Sequence, residues 1–321
     1  MKDDAALSLA NDLPRVLLPI NAVERETGIS KELLRMWERR YGFPAPDRDA
    51  QGDRIYAPDQ VNKLRVIRRL IDAGFRPGKI VKLSIAELEQ LVNSHQPTST
   101  QVTTKSPPHL EQELLSVLKS RDPYAVSQYL NHQVTRMGLE AFVLDLMQHA
   151  NSFVGDAWMR GLIEIYEEHL YTEQVQNIVR NAMSNLRPST QKPRIMLTTA
   201  PDEQHSLGIL MVEALLRLDE ADAISFGVQM PIREIHNAVI RHQVDVVLLS
   251  FSASYPANRA IEFLEELRFR LPLSIAIWTG GGGVRSSRRE IEDVQVISSL
   301  ESVRTAVLQW RRAHGMLRHT A

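Results

Sequence analysis

The chain has 321 residues, no cysteine, and 38 basic against 39 acidic side chains, for a formal net charge of -1. Without cysteine there is no disulfide framework, zinc ribbon or thiol nucleophile, and a reducing, cytoplasmic setting is expected. The balanced charge excludes a chain that is basic throughout, although not a basic module within it. The first residues are acidic and no apolar run approaches the roughly 18 residues of a membrane helix. The sequence therefore predicts neither a secretion signal nor a membrane partner.

The chain divides into segments of different composition. Its length is enough for two or three domains, each with its own core. Residues 15–90 hold 15 lysine or arginine side chains against 11 acidic ones, so positive charge is concentrated in this first domain. Residues 91–108 include a tract of Ser, Thr, Gln and Pro with almost nothing apolar to bury, and they are predicted to form a linker.

Two further domains are predicted after the linker. Residues 109–188 repeat apolar side chains at spacings of three and four, which indicates an all-helical bundle. Residues 192–315 alternate helical stretches with short β-rich runs at 194–198, 221–227, 244–250, 274–279 and 294–298. This alternation is typical of a parallel sheet covered by helices. The predicted fold class is multidomain α and α/β, ending in a flavodoxin-like doubly wound parallel sheet that binds ligands at the carboxyl ends of its strands.

The first domain begins with helix-turn-helix spacing. Gly28 allows a tight turn, and Ser30 is an N-cap for a second helix that starts at Lys31. The polar positions of that helix recur at spacings of three and four: Lys31, Arg35, Glu38 and Arg39. Such a face fits the major groove of DNA, but an ordinary solvated helix presents the same pattern.

Residues 20–80 resemble the MerR family of winged helix-turn-helix regulators, through LRMWERRYGFPAPDR and GDRIYAPDQVNKLRVIRRLIDAGF. The resemblance implies that residues 31–40 form the recognition helix, 48–56 the wing and 59–73 the helix behind it. The expected contacts to double-stranded operator DNA are Lys31, Arg35, Arg39, Arg40, Arg48, Arg54 and Tyr56. It also implies a dimer on half-sites roughly 34 Å apart, or at a multiple of that spacing. Most members continue into a dimerisation coiled coil, whereas here the polar linker follows, so dimerisation must come from elsewhere.

Chemistry-bearing residues collect at the predicted ligand edge of the sheet. They are Glu203, His205 and Gly208 after the first strand, Ser250 and Ser252 at the end of the third, and Gly280–Gly283 after the fourth. A carboxylate bonded to one imidazole nitrogen strengthens the other nitrogen as a metal ligand. Glycines leave room for an inserted flat group, to which hydroxyls offer hydrogen bonds. Singly, the histidine could be an ordinary exposed side chain and the glycines a flexible turn, but together they predict a pocket.

The spacing of these residues resembles that of the cobalamin-binding domain. The signature of an acidic residue, His and Gly is met by Glu203-Gln204-His205-Ser206-Leu207-Gly208, followed after 41 residues by Ser250 and then by Gly280-Gly281. The resemblance implies that His205 is the lower cobalt ligand and displaces the benzimidazole base of the cofactor. That base would lie in a groove beside Ser250 and the glycines. Ser252 departs from the leucine that members often have at this position.

The bundle segment carries a second signature, Trp158 followed by nine residues and then Glu168-His169. A Trp in a bundle is usually part of its core, but this arrangement resembles the cobalamin-dependent photoreceptor regulators of the CarH and LitR type. The resemblance covers roughly residues 15–315 and implies that residues 109–188 form a four-helix bundle that caps the cofactor. It also implies that Trp158 covers the upper face of adenosylcobalamin, with Glu168 and His169 lining the upper pocket. In the type member, a histidine directly after this Trp takes the upper cobalt position after illumination. Here the residue is Met159, whose thioether is a poorer partner for cobalt(III). After illumination, the upper cobalt position would then be taken by His149, by His169, by water or by no partner.

The sequence therefore predicts a transcription factor, not an enzyme, that binds operator DNA and adenosylcobalamin and forms a dimer or tetramer. By resemblance, a dark tetramer represses transcription, and light breaks the cobalt–carbon bond and disperses it. Two alternatives stay open. The C-terminal domain could sense another ligand such as haem, or only dimerise. The chain could also be a corrinoid methyl carrier, although three modules in 321 residues leave no room for a substrate domain.

Overall fold

The computed structural model describes residues 17–72, 75–94, 108–285 and 291–316. The chain forms two compact units, residues 1–102 and residues 103–321, each with its own core. Most of the predicted linker at 91–108 lies outside the described residues, as does the side chain of Met159. Within the described ranges, every helix is too short or too polar to cross a lipid bilayer.

The first unit combines short strands with helices. Its strands β1 (Leu18–Pro19), β2 (Asp47–Arg48) and β3 (Arg54–Tyr56) pair antiparallel in the order β1-β3-β2. Its helices are α1 (Ile20–Thr27), α2 (Lys31–Tyr41), α3 (Pro58–Asp72), α4 (Pro77–Ile80) and α5 (Ile85–Ser94). The β2–β3 hairpin follows α2 and forms the predicted wing.

The turn between α1 and α2 has a local chemical cause. Gly28 ends α1 in the left-handed region, at φ 66°, and its N–H donates to the carbonyl of Glu24 at 2.9 Å. The Ser30 hydroxyl caps α2 by accepting from the N–H of Leu33 at 3.3 Å. Leu34 and Trp37 of α2 are fully buried in the core of the unit. The predicted helix-turn-helix is therefore confirmed, with the charged face of α2 turned away from the core.

The second unit begins with the helical bundle. Its elements are α6 (Pro108–Leu118), α7 (Ala125–Ala141), a π-helical segment (Phe142–Met147), α8 (Gln148–Met159) and α9 (Ile165–Ser184). Gly138 has non-helical angles, φ 79° and ψ 163°, and breaks α7. The chain after this break continues through the π-helical segment into α8. The bundle therefore has four helical rods, as predicted.

A five-stranded parallel sheet follows. The strands are β4 (Arg194–Thr198), β5 (Asp222–Ser225), β6 (Val246–Ser250), β7 (Ala276–Gly280) and β8 (Val294–Ile297). The helices are α10 (Leu207–Leu218), α11 (Ile232–His242), α12 (Ala257–Arg270), α13 (Gly282–Arg285) and α14 (Ser302–Ala313). The strand order β5-β4-β6-β7-β8 is the flavodoxin-like order. The predicted fold class is confirmed.

Helix α10 belongs to two cores at once. Ile209 and Leu216 pack in the core on one face of the sheet, while Leu210, Ala214 and Leu215 pack in the core of the bundle. Because adjacent positions of one helix face the two layers, the bundle and the sheet are joined through buried apolar surface.

The turn after β7 packs closely against the loop after β6. The N–H of Phe251 donates to the carbonyl of Gly280 at 3.0 Å, and the N–H of Gly283 donates to the carbonyl of Phe251 at 3.1 Å. A Cβ at Gly283 would lie 2.6 Å from the carbonyl oxygen of Ser252, and one at Gly281, where φ is 98°, would overlap the carbonyl of Phe251. These glycines therefore allow two backbone segments to touch.

We expect Gly281→Ala to lower the free energy of unfolding by at least about 2 kcal/mol, because the new Cβ is strained at positive φ and collides with backbone. Urea denaturation followed by circular dichroism measures this. Gly155→Ala in α8 is the matched control, because a Cβ there meets no atom within 4 Å, and it should leave stability unchanged or raise it by up to about 1 kcal/mol. Equal stability of the Gly281 variant and the wild type would contradict the packing described.

Candidate functional site

The edge of the sheet that was predicted to bind ligands lies at a topological switch point. Strands β4 and β6 are neighbours, and the next strand in sequence after β4 lies on its other side. The loops that leave β4 and β6 therefore diverge and open a crevice at the carboxyl ends of the strands. His205 lies on the first of these loops and Ser252 on the second.

The centre of this crevice is a buried carboxylate. Glu203 is 1% exposed, and its Oε1 accepts from His205 Nδ1 at 2.6 Å and from the His205 N–H at 3.0 Å. Its Oε2 accepts from the N–H of Ser252 at 2.7 Å. Burial raises the pKa of Glu203, but the hydrogen bonds from His205 and Ser252 outweigh it and leave the pKa below its ordinary value. The carboxylate is therefore ionised at neutral pH.

The imidazole of His205 is oriented by this carboxylate but remains accessible, since 63% of its side chain is exposed. With Nδ1 held by an anion, a metal would be bound through Nε2, and the carboxylate would increase the donor strength of that nitrogen. One imidazole supplies one ligand. A metal bound here would have to bring its remaining ligands with it, as a macrocyclic cofactor does.

Three further predicted positions meet beside this pair. Ser250 lies next to Gly280 in the register of β6 and β7, and a Cβ at Gly208 would lie 2.8 Å from the Ser250 hydroxyl. A Cβ at Gly280 would lie 3.2 Å from the carbonyl oxygen of Ile297. These walls without side chains, with one hydroxyl between them, fit the flat base of a cofactor tail. They lie close together, so such a group would enter only as the start of α10 separates from β6.

The glycine run was expected to form an open groove wall, and the structure gives its members different roles. Gly280 lies at the groove, but Gly281 and Gly283 pack against the backbone of residues 251–252. Of the residues in the run, Gly280 is therefore the one that could line a ligand together with Gly208 and Ser250, once that side opens. Ser252 contributes its backbone N–H to Glu203, a role that does not depend on the leucine expected at this position.

On the bundle side, Trp158 is partly buried at the end of α8 and packs against the bundle core. Leu207, two residues after His205, packs against the same core. Glu168 and His169 form a pair on α9, with His169 Nδ1 2.6 Å from Glu168 Oε2, and Thr172 donates to the other carboxylate oxygen at 2.8 Å. The side chain of His169 is 69% exposed.

The structure separates the two histidines considered as upper partners. His149 and Trp158 are nine residues apart in α8, which turns them about half a revolution from each other and separates them by about 13.5 Å along the axis. His149 Nε2 lies 3.0 Å from Glu111 Oε1 of α6. It therefore faces a neighbouring helix, on the side of α8 away from Trp158. This argument disfavours His149 as the upper partner.

Asn151 is a polar link that the sequence did not suggest. It is seven residues before Trp158 and therefore on the same side of α8. Its Oδ1 accepts from the hydroxyl of the buried Tyr171 at 2.7 Å, and its Nδ2 donates to Met211 Sδ at 3.8 Å. Burial raises the pKa of Tyr171 well above its ordinary value, so the hydroxyl stays protonated as a donor. The spacing to Trp158 was the signal available in the sequence.

The basic residues of α2 fall into two groups. Arg35, Arg39 and Arg40 are exposed. Lys31 Nζ lies 3.5 Å from Glu24 Oε2 of α1, so part of its charge is compensated within the unit. The exposed arginines are therefore the side chains of this helix best placed for the bases and phosphates of a duplex.

In the wing, the predicted contacts have different environments. Arg48 is exposed, and its Nη1 donates to the carbonyl of Gly52 at 2.7 Å, which closes the hairpin. Arg54 Nε donates to Glu38 Oε2 of α2 at 2.8 Å and ties the wing to the recognition helix. The partner Glu38 had been assigned only to the polar face of α2.

The prediction that Tyr56 contacts DNA is contradicted by its burial. Its side chain is 0% exposed, and its hydroxyl is buried without a hydrogen-bond partner. Tyr56 pairs with Leu18 of β1, whereas Arg54 pairs with Arg48 of β2. The two residues of β3 therefore lie at opposite ends of a small sheet, one toward the core and one toward the tip of the wing.

Comparison with known proteins gives matches to both units. The family model described as MerR HTH family regulatory protein matches residues 18–86, and the B12 binding domain matches residues 193–308. The HTH-type transcriptional repressor CarH of Myxococcus xanthus is 28% identical over 281 residues, which is 86% of this chain and 93% of the relative. The repressor CarA of the same organism is 27% identical over 280 residues, 85% and 90% of the two chains.

Among solved structures, the monomethylamine corrinoid protein of Methanosarcina barkeri aligns over 63% of this chain and 96% of its own, with a TM-score of 0.45 and 16% identity. CarH and CarA, each matched over most of this chain and of its own length, are transcriptional repressors, which agrees with the prediction of a regulator instead of an enzyme.

We expect Tyr56→Phe to raise the free energy of unfolding by about 1 kcal/mol, because it removes a buried hydroxyl without a partner, and to leave affinity for a duplex selected by the wild-type protein unchanged. Arg39→Ala should weaken that binding and reduce its salt dependence by about one phosphate contact. Thermal unfolding and fluorescence anisotropy at several salt concentrations measure the two effects. If Tyr56→Phe weakened DNA binding as much as Arg39→Ala does, Tyr56 would be a DNA contact after all.

Proposed function

We propose that this chain, a cobalamin-binding transcriptional regulator homologous to the repressors CarH and CarA, binds adenosylcobalamin as a light sensor. In the proposal, His205 would supply the protein ligand to cobalt, and Arg35, Arg39, Arg40 and Arg48 contact operator DNA. The dark, loaded protein is a dimer or tetramer, and light disperses it.

The observation that carries the proposal is the Glu203–His205 pair. A carboxylate that is 1% exposed holds an imidazole that is 63% exposed, at the switch point where this fold binds ligands. A buried ionised group is costly unless it is fully hydrogen-bonded, and here three donors from two loops satisfy it. Burying the Glu203 carboxylate costs free energy, and its effect here is to orient the exposed ring of His205. This supports a metal-binding role for that ring.

The bundle residues Trp158 and Glu168 support the adenosyl form of the cofactor. Trp158 at the end of α8 and Leu207 at the start of α10 both pack against the bundle core. An indole there can cover a planar ring, and the Glu168 carboxylate can accept hydrogen bonds from the hydroxyls of an adenosyl ribose. Adenosylcobalamin supplies a cobalt–carbon bond that light breaks.

The link from cofactor to DNA is proposed to run through assembly. Helix α10 begins two residues after His205 and is buried in the bundle core at Leu210, Ala214 and Leu215. A change at the loop of His205 therefore acts on the bundle surfaces that would form the oligomer. Several DNA-binding modules held in one assembly bind with avidity, so loss of the oligomer weakens DNA binding without altering any base contact.

We expect protein loaded with adenosylcobalamin in the dark to elute from a sizing column as an oligomer, and the same sample after green light to elute as a smaller species. Absorption spectra taken before and after illumination report the loss of the cobalt–carbon bond. Protein loaded with hydroxocobalamin is the control, since it carries no alkyl group, and should elute as the smaller species in both cases. An elution volume that is unchanged by light would remove the switch from the proposal.

We expect His205→Ala to weaken uptake of cobalamin at least about tenfold, because it removes the protein ligand to the metal. Equilibrium dialysis with absorbance detection measures the affinity. His132→Ala is the matched control, since His132 is an exposed histidine on α7 away from the sheet edge, and should bind as the wild type does. Unchanged uptake by His205→Ala would favour a pocket for another ligand, which haem titration would then test.

A further inference from the structure

Two buried threonines lie at the carboxyl end of β4: Thr198 is its last residue and Thr199 follows it. Thr198 and Thr199 are both 0% exposed, and both use their hydroxyls to hold the loop that follows β5. Thr198 Oγ1 donates to the carbonyl of Gly227 at 2.9 Å. Thr199 Oγ1 accepts from the N–H of Gln229 at 2.8 Å. Neither residue belongs to a motif recognisable in the sequence.

Only Thr199 also reaches the loop that carries His205. Its hydroxyl donates to the main-chain carbonyl of Glu203 at 2.6 Å. One hydroxyl thus uses its proton on the Glu203 loop and a lone pair on the Gln229 loop. Gln229 has φ 61°, an uncommon conformation for a residue other than glycine, and the hydrogen bond from its N–H to Thr199 helps to hold it there.

Glu203 is therefore fixed at both of its ends. The Thr199 hydroxyl donates to its main-chain carbonyl, and the N–H of Ser252 donates to its carboxylate at 2.7 Å. The carboxylate in turn sets the direction of the His205 ring through a 2.6 Å contact with Nδ1. A shift of the Glu203 main chain would move the ring with it.

We propose that Thr199 is a positioning residue for the cobalt ligand, and that its hydroxyl sets how much of the bound cobalamin is held by His205 instead of by its own benzimidazole. The inference rests on the proposed role of His205 as the lower ligand. The competing base is part of the cofactor, so a small displacement of the imidazole is enough to change which nitrogen occupies the metal.

The test uses the full chain labelled with ¹⁵N-histidine and loaded with cobalamin in the cobalt(II) state, observed by electron paramagnetic resonance. The unpaired electron of low-spin cobalt(II) points along the axial bond. An axial ¹⁵N of the labelled protein splits each line into a doublet, whereas the ¹⁴N of benzimidazole gives a triplet. The spectrum therefore reports which base is bound, independently of DNA binding or light.

Three variants separate positioning from folding. Thr199→Val removes the hydroxyl at nearly constant shape, and we expect the doublet fraction to fall to half or less and cobalamin to bind about ten times more weakly. Tenfold corresponds to about 1.4 kcal/mol, the size of one or two net hydrogen bonds. Thr199→Ser keeps the hydroxyl and should restore the doublet. Thr198→Val removes an equally buried hydroxyl that does not touch Glu203, and should keep the wild-type spectrum.

The outcomes distinguish the role of His205 from the role of Thr199. A triplet in the wild-type protein would overturn the lower-ligand role of His205, and with it the proposed function, whatever the variants do. A wild-type doublet that Thr199→Val leaves unchanged, with unchanged affinity, would overturn the positioning role alone. The positioning role would also be overturned if Thr198→Val reduced the doublet as much as Thr199→Val does, or if Thr199→Ser failed to restore it.

Discussion

A buried negative charge organises the ligand edge of this protein. The Glu203 carboxylate is withdrawn from water, and an ionised group in that position persists only when its oxygens are fully hydrogen-bonded. The donors come from residues far apart in sequence, the loop after β4 and the loop after β6. The two loops are therefore locked to each other at the switch point, and the imidazole of His205 takes its direction from that lock.

The second constraint is that α10 has no free side. One of its faces completes the core above the sheet and another completes the core of the bundle, while Met211 accepts the amide of Asn151 across the boundary. Arg304 of α14 adds an ion pair to Glu140 of α7 at 2.9 Å and one to Asp219 at the end of α10 at 2.6 Å. The loop of His205 leads directly into this helix. Whatever binds at the loop acts on an element whose packing the bundle shares.

Much of this architecture could be predicted from the sequence because it depends on local periodicity. The runs at 194–198 and 294–298 match β4 and β8 to within one residue. In β4 the signal is a buried apolar run, as parallel strands covered on both faces have. The Gly28 turn and the Ser30 cap depend on residues a few positions apart. The signature residues Glu203, His205 and Gly208 lie on one short loop, where spacing alone brings them together.

What could not be predicted depends on contacts between distant residues. The partner of Arg54 is 16 positions away, and the second donor to Glu203 is 49 positions away. The burial of Tyr56 follows from its pairing with β1, a strand of only two residues that has no periodic signal. The glycines after β7 differ in role because some of them pack against the backbone of residues 251–252. No pattern within the glycine run encodes that contact.

The bond between Arg54 and Glu38 has a consequence for the thermodynamics of DNA recognition. A cation that is already neutralised by a carboxylate at 2.8 Å attracts a phosphate less strongly, and the carboxylate itself repels the duplex. The number of ions displaced when the complex forms is therefore smaller than the number of arginines on this surface. Affinity would then owe more to the fit of the wing against the helix, and less to bulk charge, than the basic composition of the domain implies.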